Sequence, residues 1–326
     1  MRSAPCLLLG LLILLGDGAG RETLAETNLY VSADGSNQFK TVQEAINATP
    51  QTTCSTNHCY IHIKPGVYKE LIYVQREKHF VYLVGEDAEQ TVITYNLNAK
   101  MPGADGKPMS TYRTPTAVID ADDFTVENVT FENSAGRVGQ ALALRVDGDR
   151  VAFRNCRFLG WQDTVFLDRG RQYFEGCYIA GHVDFIFGGA TAFFEKCHIH
   201  CLTNGYITAA STPEQEPFGY VFSNCRITGE SPDARTYLGR PWRQFSSVTY
   251  LNTEMSEVVT NVGWNNWKDP AREKTVRYAE FNSTGPGANP KARVPWSRQL
   301  TATEAKAITL EKVLGGADGW NPAGSH

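Results

Sequence analysis

A short phrase recurs through the middle of the chain and constrains its fold more than any other feature. It runs bulky residue, two others, a small apolar residue or Cys, one other, bulky residue. Tight copies are Val126-x-x-Val129-x-Phe131, Phe153-x-x-Cys156-x-Phe158, Phe174-x-x-Cys177-x-Ile179, Phe194-x-x-Cys197-x-Ile199 and Phe222-x-x-Cys225-x-Ile227, with looser copies at Phe245-Val248-Tyr250 and Val276-Ala279-Phe281. Successive copies begin 20 to 31 residues apart. That is the period of a solenoid, in which each turn buries its apolar side only against neighbouring turns. Residues 117 to 260 are β-dense with Gly, Asn and Asp at the corners, so the expected class is all-β: a single right-handed parallel β-helix with two minor helices.

The flanks fit this frame. Residues 1–20 start basic at Arg2, pass through an apolar run from Leu7 to Leu15 and end in small residues, the pattern of a secretory signal peptide and too short for a comfortable membrane span. The remaining 306 residues, 21–326, are expected to form one domain, enough chain to bury about three quarters of its unfolded surface. Phe39 to Ile46 reads as a short amphipathic helix with Thr41 and Glu44 at capping-box spacing, placed to cover the open N-terminal end of the coil. Tyr60 to Ile63 reads as a first strand, residues 96–116 as a long surface loop, and Thr301 to about Val313 as a second helix along the outside of the stack.

A net charge of −4 argues against nucleic acid as the main partner and against non-specific attraction to a strong polyanion. No segment beyond the leader is apolar enough to cross a bilayer, so an exported, soluble monomer is expected. Seven cysteines follow the leader. Cys54 and Cys59 bracket a short loop and could close it, while Cys156, Cys177, Cys197 and Cys225 form a ladder whose adjacent rungs lie within disulfide range. One bridge, Cys177 to Cys197, is the expectation; a stack of buried reduced thiols is the alternative. The spacing offers no metal knuckle, and no cofactor is expected.

The chemistry lies in a coincidence of phase. Asp163 falls seven residues after Cys156, and Asp184 seven after Cys177. Stacked as parallel strands, the two carboxylates would sit roughly 5 Å apart on adjacent rungs, too close for both to ionise easily. Gln140 and Gln162, 22 residues apart, open neighbouring short strands and supply two amide donors for a developing oxyanion. One carboxylate can attack while the other carries a proton, an inventory suited to acyl transfer without serine, histidine or metal. Strict alternation would send Gln162 and Asp163 to opposite faces, so a shared site requires an irregular strand start such as a bulge. The alternatives are a carboxamide ladder that only satisfies polar groups, and aspartates that only turn corners.

Five blocks taken in order, Gly66-Val-Tyr-Lys-Glu70, Gln140-Ala-Leu-Ala-Leu144, Gly160-Trp-Gln-Asp-Thr164, Asp184-Phe-Ile-Phe-Gly188 and Leu238-Gly-Arg-Pro-Trp242, resemble the signature blocks of pectin methylesterases over nearly all of the chain after the leader. The loop before Thr116 resembles the bacterial-type branch more than the plant one. The resemblance implies a secreted esterase that converts methyl-esterified homogalacturonan to free acid and methanol. It implies Asp184 as nucleophile, Asp163 as general acid then base, and Gln162 and Gln140 as oxyanion and substrate contacts. Arg240 would fix the nucleophile, Trp242 would form a sugar platform, and Thr116 would contact substrate. Of the alternating Phe185 and Phe187, one should face the core while the other, taken as Phe187, lines the cleft. Trp161, Val165 and His182 depart from the family pattern. His182 is expected to point to solvent, or, if it titrates near neutrality, to adjust the pH optimum. A depolymerase on the same coil, a thioesterase relative and a non-catalytic carbohydrate binder remain competing readings.

Overall fold

A computed structural model describes residues 26–231 and 233–324; the expected leader, 1–20, lies outside them. The chain winds as a right-handed parallel β-helix, and every pairing between strands of the described residues is parallel. One face is an 11-stranded sheet that begins at Thr27–Val31 and Cys59–Ile63 and ends at Arg277–Phe281 and Arg298–Gln299. Two further columns of strands merge into a second sheet, because Tyr178–Gly188 and His198–Ala210 run through the corner between them without a break. The first strand is thus Thr27–Val31, one coil earlier than the sequence suggested.

The repeat phrase is the corner between two faces. Its first bulky residue stacks along one sheet, where Phe153, Phe174, Phe194, Phe222 and Tyr250 form a column of rings with centroids 4.4 to 4.7 Å apart. Its last bulky residue starts the next face, with Phe131, Phe158, Ile179, Ile199, Ile227 and Met255 in register. The slot just before the small residue holds the turn. Asn128, Asn155, Gly176, Lys196, Asn224, Asn252 and Asn282 all have φ between 49° and 61°. Left-handed backbone suits Gly, and Asn more than most side chains, which is why the corners are so rich in both.

Register corrects the two looser copies. Phe222 pairs with Tyr250, and Tyr250 with Glu280, so neither Phe245 nor Val276 stands at the start of a copy. The strand Ser247–Leu251 is buried on both faces, and alternation alone could not fix its phase there. Its outer side is covered by the C-terminal segment. That segment is two short helices rather than the single one expected, Ala302–Lys306 and Leu310–Leu314, with Thr309 capping the second through Lys312 N. Leu314, Val313 and Ala305 pack on Tyr173, Phe193 and Val221. At the other end Val42–Ala48 forms the expected cap, with the Thr41–Glu44 box present. Glu70 completes it, accepting the Val42 and Gln43 amides at 2.8 and 2.9 Å, so the Gly66–Glu70 block is structural. Among the described residues no helix is long and apolar enough to cross a membrane.

The Cys177–Cys197 bridge does not form, and every described cysteine, Cys54 and Cys59 included, is a free thiol. The stack explains it. Side chains in register on parallel rungs project side by side at the strand spacing instead of converging as a disulfide requires. Each thiol points instead at main-chain carbonyls: Cys177 lies 3.5 Å from Phe153 O, and Cys197 lies 3.4 Å from Phe174 O. Unreduced, denatured protein treated with iodoacetamide should therefore carry a label on both Cys177 and Cys197 by peptide mass mapping, and reductant should leave the melting temperature unchanged. A linked Cys177–Cys197 peptide would contradict this arrangement.

Candidate active site

The two aspartates lie on the outside of the third column of strands. Both depart from strand geometry in the same way: Asp163 has φ 63° and Asp184 φ 52°. Left-handed backbone is uncommon for a side-chain-bearing residue and least costly for Asp, Asn and Gly. Around Asp184 the pairing with the next coil slips twice, between Gly181 and Val183 and between Val183 and Ile186. This is the irregularity that a shared site required, and it lets neighbours in sequence face one groove. Gly181 makes the slip possible, since a Cβ there would come within 2.3 Å of the Phe185 Cβ. The coils stay stacked through it: Asp163 N donates to Val183 O at 3.0 Å, and Gln140 bridges to Gln162.

The groove is a cleft of about 310 Å³ bordered by Asp163, Asp184, Gln140, Gln162, Arg240, Phe187 and Trp242, which brings together seven of the eight groove residues anticipated from the sequence. Thr116 is the exception. It is fully buried and its hydroxyl donates to Glu132 O at 2.8 Å, so it cannot meet a substrate. Its place near the groove is taken by Thr111 and Tyr112, from the 3-10 turn Thr111–Arg113 inside the long loop. Phe185 is in the core and Phe187 faces outward, stacked on Phe166 at 4.6 Å and edge-on to Trp242 at 5.8 Å. Phe166, Trp267, Tyr112 and Tyr206 were missed by the sequence reading. Phe166 was the findable one, three residues after Asp163 as Phe187 is three after Asp184.

Arg240 arrives from two coils beyond Asp184. The strand Thr236–Gly239 pairs with Gly205–Thr208, and the Arg240 and Trp242 amides continue the ladder to Thr208 O and Ala210 O, both at 2.9 Å. Its guanidinium grips the Asp184 carboxylate with two bonds, Nε to Oδ1 at 2.8 Å and an Nη to Oδ2 at 2.6 Å. Tyr206 and Trp267 clamp it from two sides, 3.9 and 3.7 Å from its central carbon to the ring centroids. A fork held by two rings has little freedom left to lose.

Electrostatics separates the two acids. Burial pushes the Asp163 carboxyl far above the ordinary carboxylate range, and the neighbouring Asp184 charge pushes it further; Arg240 and the Gln162 amide only partly oppose this. Burial also raises Asp184, but there the directly bonded Arg240 offsets part of the rise, leaving it above the ordinary carboxylate value by less than its neighbour. The proton therefore belongs to Asp163 and the charge to Asp184. His182 does not point to solvent: it is buried edge-on against Trp161, 5.6 Å between centroids, and burial lowers its pKa so that the ring is neutral at pH 7.

Comparison with known proteins follows the same lines. The pectinesterase family profile matches residues 28–317. Pectinesterase 31 of Arabidopsis thaliana is 45% identical over 282 residues, covering 84% of this chain and 88% of its own. Pectinesterase QRT1 of the same plant is 38% identical, with 90% and 78% covered. The solved pectin methylesterase from carrot superposes with a TM-score of 0.83 at 32% identity, over 92% of this chain and 96% of that one. PemA from Erwinia chrysanthemi gives 0.78 and 30%, over 91% and 99%. These similarities overturn the bacterial-type assignment and set the chain with the plant enzymes. The assignment had rested on a surface loop, where insertions are tolerated and ancestry leaves the weakest trace. The chain belongs to the pectinesterase family, and is an extracellular carboxylic ester hydrolase acting on methyl-esterified homogalacturonan.

Proposed function

We propose that Asp184 and Asp163 carry out this hydrolysis as nucleophile and acid–base, and that the chain is exported by residues 1–20 and works as one domain over 21–326. The observation that carries the catalytic reading is the forked Arg240 grip on Asp184 beside a buried Asp163 with no such partner. Asp184 attacks the ester carbonyl carbon of a galacturonate unit. The carbonyl electrons move onto oxygen, where the Gln162 and Gln140 amides receive the developing charge. As the carbon–methoxy bond breaks, Asp163 gives its proton to the departing oxygen and methanol leaves. An anhydride now joins substrate and Asp184. Asp163, ionised, takes a proton from water, whose oxygen attacks the anhydride carbonyl. Asp184 departs as a carboxylate and returns to Arg240, and Asp163 holds a proton again.

Supporting groups follow from the same geometry. Phe187 and Trp242 border the groove and offer apolar ring surface for the C–H faces of the sugar, with Phe166 stacked against Phe187. The groove is open, as a polymer requires.

Asp184→Ala should abolish methanol release on highly methylated pectin while the circular dichroism spectrum is retained, and Asp163→Asn should lower kcat by about a hundredfold or more. The viscosity of the pectin solution should not fall with the wild-type enzyme, since no glycosidic bond is cut. Retained methanol release in either variant would reassign the roles.

The proton on Asp163 has a thermodynamic consequence. A carboxyl whose folded pKa is raised binds its proton more tightly folded than unfolded, so it contributes least to stability once pH exceeds the folded pKa. Stability is lost as pH rises from the unfolded value of about 3.9 through that raised pKa. Asp163→Asn removes the penalty, so at pH 7 this nearly inactive variant should melt about 2 °C or more above the wild type. The gap should close toward pH 4. An equal or lower melting temperature at pH 7 would show that burial of this carboxyl is not costly.

A further inference from the structure

Asp184 reaches the groove because its strand slips against the next coil, and the first residue in the slip is His182. Gly181 pairs with Cys201 and Val183 with Tyr206, so His182 has no partner in that ladder. An unpaired residue of this kind re-aims the side chains that follow it. The main chain at the slip has little freedom. His182 N donates to Trp161 O at 2.9 Å, and its carbonyl lies so close to the next coil that Gly205 has no room for a Cβ.

The side chain is held as tightly, but on one condition. The imidazole is 7% exposed and packed edge-on against Trp161, and its Nδ1 is buried with no hydrogen-bond partner. A neutral ring with a bare lone pair costs little there. An imidazolium donates from both nitrogens, and would bury a charged N–H with no acceptor. The surrounding groups do not relieve this. Burial is the largest influence on the ring and works against the cation, as does Arg137 from the loop before Gln140; the Trp161 main chain and the Asp184 charge oppose them only in part. From the next coil Gly205 presents main chain, and Cys201 is a thiol that burial pushes up to about 12 and leaves uncharged.

We propose that His182 is a positioning residue that acts as an acid-sensitive latch: neutral, it keeps closed the bulge that aims Asp184 at Arg240, and on taking up a proton it leaves its site and the nucleophile loses its place. The latch rests on the reading of Asp184 as nucleophile. Hydrolysis of an ester to a carboxylic acid releases a proton at neutral pH, so the enzyme is slowed by the acidity that its own turnover generates.

The test follows methanol release from fully methyl-esterified hexagalacturonate, which has no carboxyl of its own to titrate. For wild type, His182→Gln and His182→Thr, kcat/KM is measured against pH and each profile is scaled to its own maximum. Two ionisations, of Asp184 and of His182, should shut down the wild type, so log kcat/KM should fall on the acid side with a slope approaching two. Either variant should fall with a slope of one, and at pH 5 should keep about three- to tenfold more of its maximum than the wild type keeps. The His182 Cε1–H resonance, identified by its loss in His182→Gln, should titrate below about 6.5, in the window where the rate fails. Stability carries the sign of a base whose folded pKa is lowered: the unfolded chain takes the proton first. The wild-type melting temperature should therefore fall relative to His182→Gln as pH drops below about 6.5. A side chain that served only packing would shift the melting temperature equally at every pH and leave the scaled profiles superposed. Superposed profiles, or a wild-type slope of one, which needs no variant to read, would overturn the proposal. Failure of the catalytic reading would show separately, as methanol release by Asp184→Ala.

Discussion

Each coil of this chain hydrogen-bonds in register to the next, and that parallel stacking is the constraint from which everything else in the molecule follows. It converts a phase in the sequence into a column in space. A residue cannot choose its neighbours independently; it inherits whatever holds the same phase one coil away. The ring column from Phe153 to Tyr250 is one consequence. The thiols of Cys156, Cys177, Cys197 and Cys225 on successive corners are another, and the same parallel projection that aligns them keeps them from bonding. The acid pair is a third. Two aspartates seven residues past two successive corners share a groove because no other outcome is compatible with the stack.

This explains which parts could be read from residues alone. In the copies from Val126 to Ile227 the corner Asn, Gly or Lys and the Cys or Val after it hold fixed slots, and that repetition marks the phase even though these strands are buried on both faces. In the next coil the Cys slot holds Thr253, and the phrase loses its marker. Ser247–Leu251 lies under the C-terminal helices, its apolar residues fall on both faces, and the phrase slid along it. One coil later the core phase is occupied by Glu280, the least expected residue there. It survives because Arg293 meets it with two bonds, at 2.8 and 3.0 Å, and Trp264 donates its indole N–H at 3.3 Å. A buried ion pair closes the apolar column at that end, and no periodicity reports it.

The groove shows the same division. Asp163, Asp184, Gln140 and Gln162 sit on the stacked coils and were legible through their spacing, whereas the identification of Arg240 and Trp242 came from the resemblance of the block around them. Thr116 was misplaced because it belongs to the entry of a coil, where a buried hydroxyl bonded to Glu132 O looks, in sequence, like a groove residue. The true contributors from that region, Thr111 and Tyr112, stand on a loop whose path no repeat dictates. The same loop misled the choice between the bacterial and plant branches. Segments outside the stack carry neither register nor phase, and an inference drawn from them lacks the constraint that makes the rest reliable.

Two chemically identical side chains acquire different protonation states in this groove. Asp163 and Asp184 share a phase, a left-handed backbone and near-complete burial. Nothing in their own coils separates them. The difference is supplied two coils away by Arg240, which can reach only one of them with both arms of its fork and is clamped by Tyr206 and Trp267 where it does so. Once one carboxylate is bonded to a fixed cation, the other, buried beside that charge, retains its proton. The protonated and the charged carboxyl, acid and nucleophile in the mechanism proposed above, are therefore sorted by a residue more than fifty positions downstream, and the sorting holds only while the coils between them stay in register. That is a demanding arrangement for a flexible fold and an easy one for a solenoid, in which successive coils are bound to each other along their whole length.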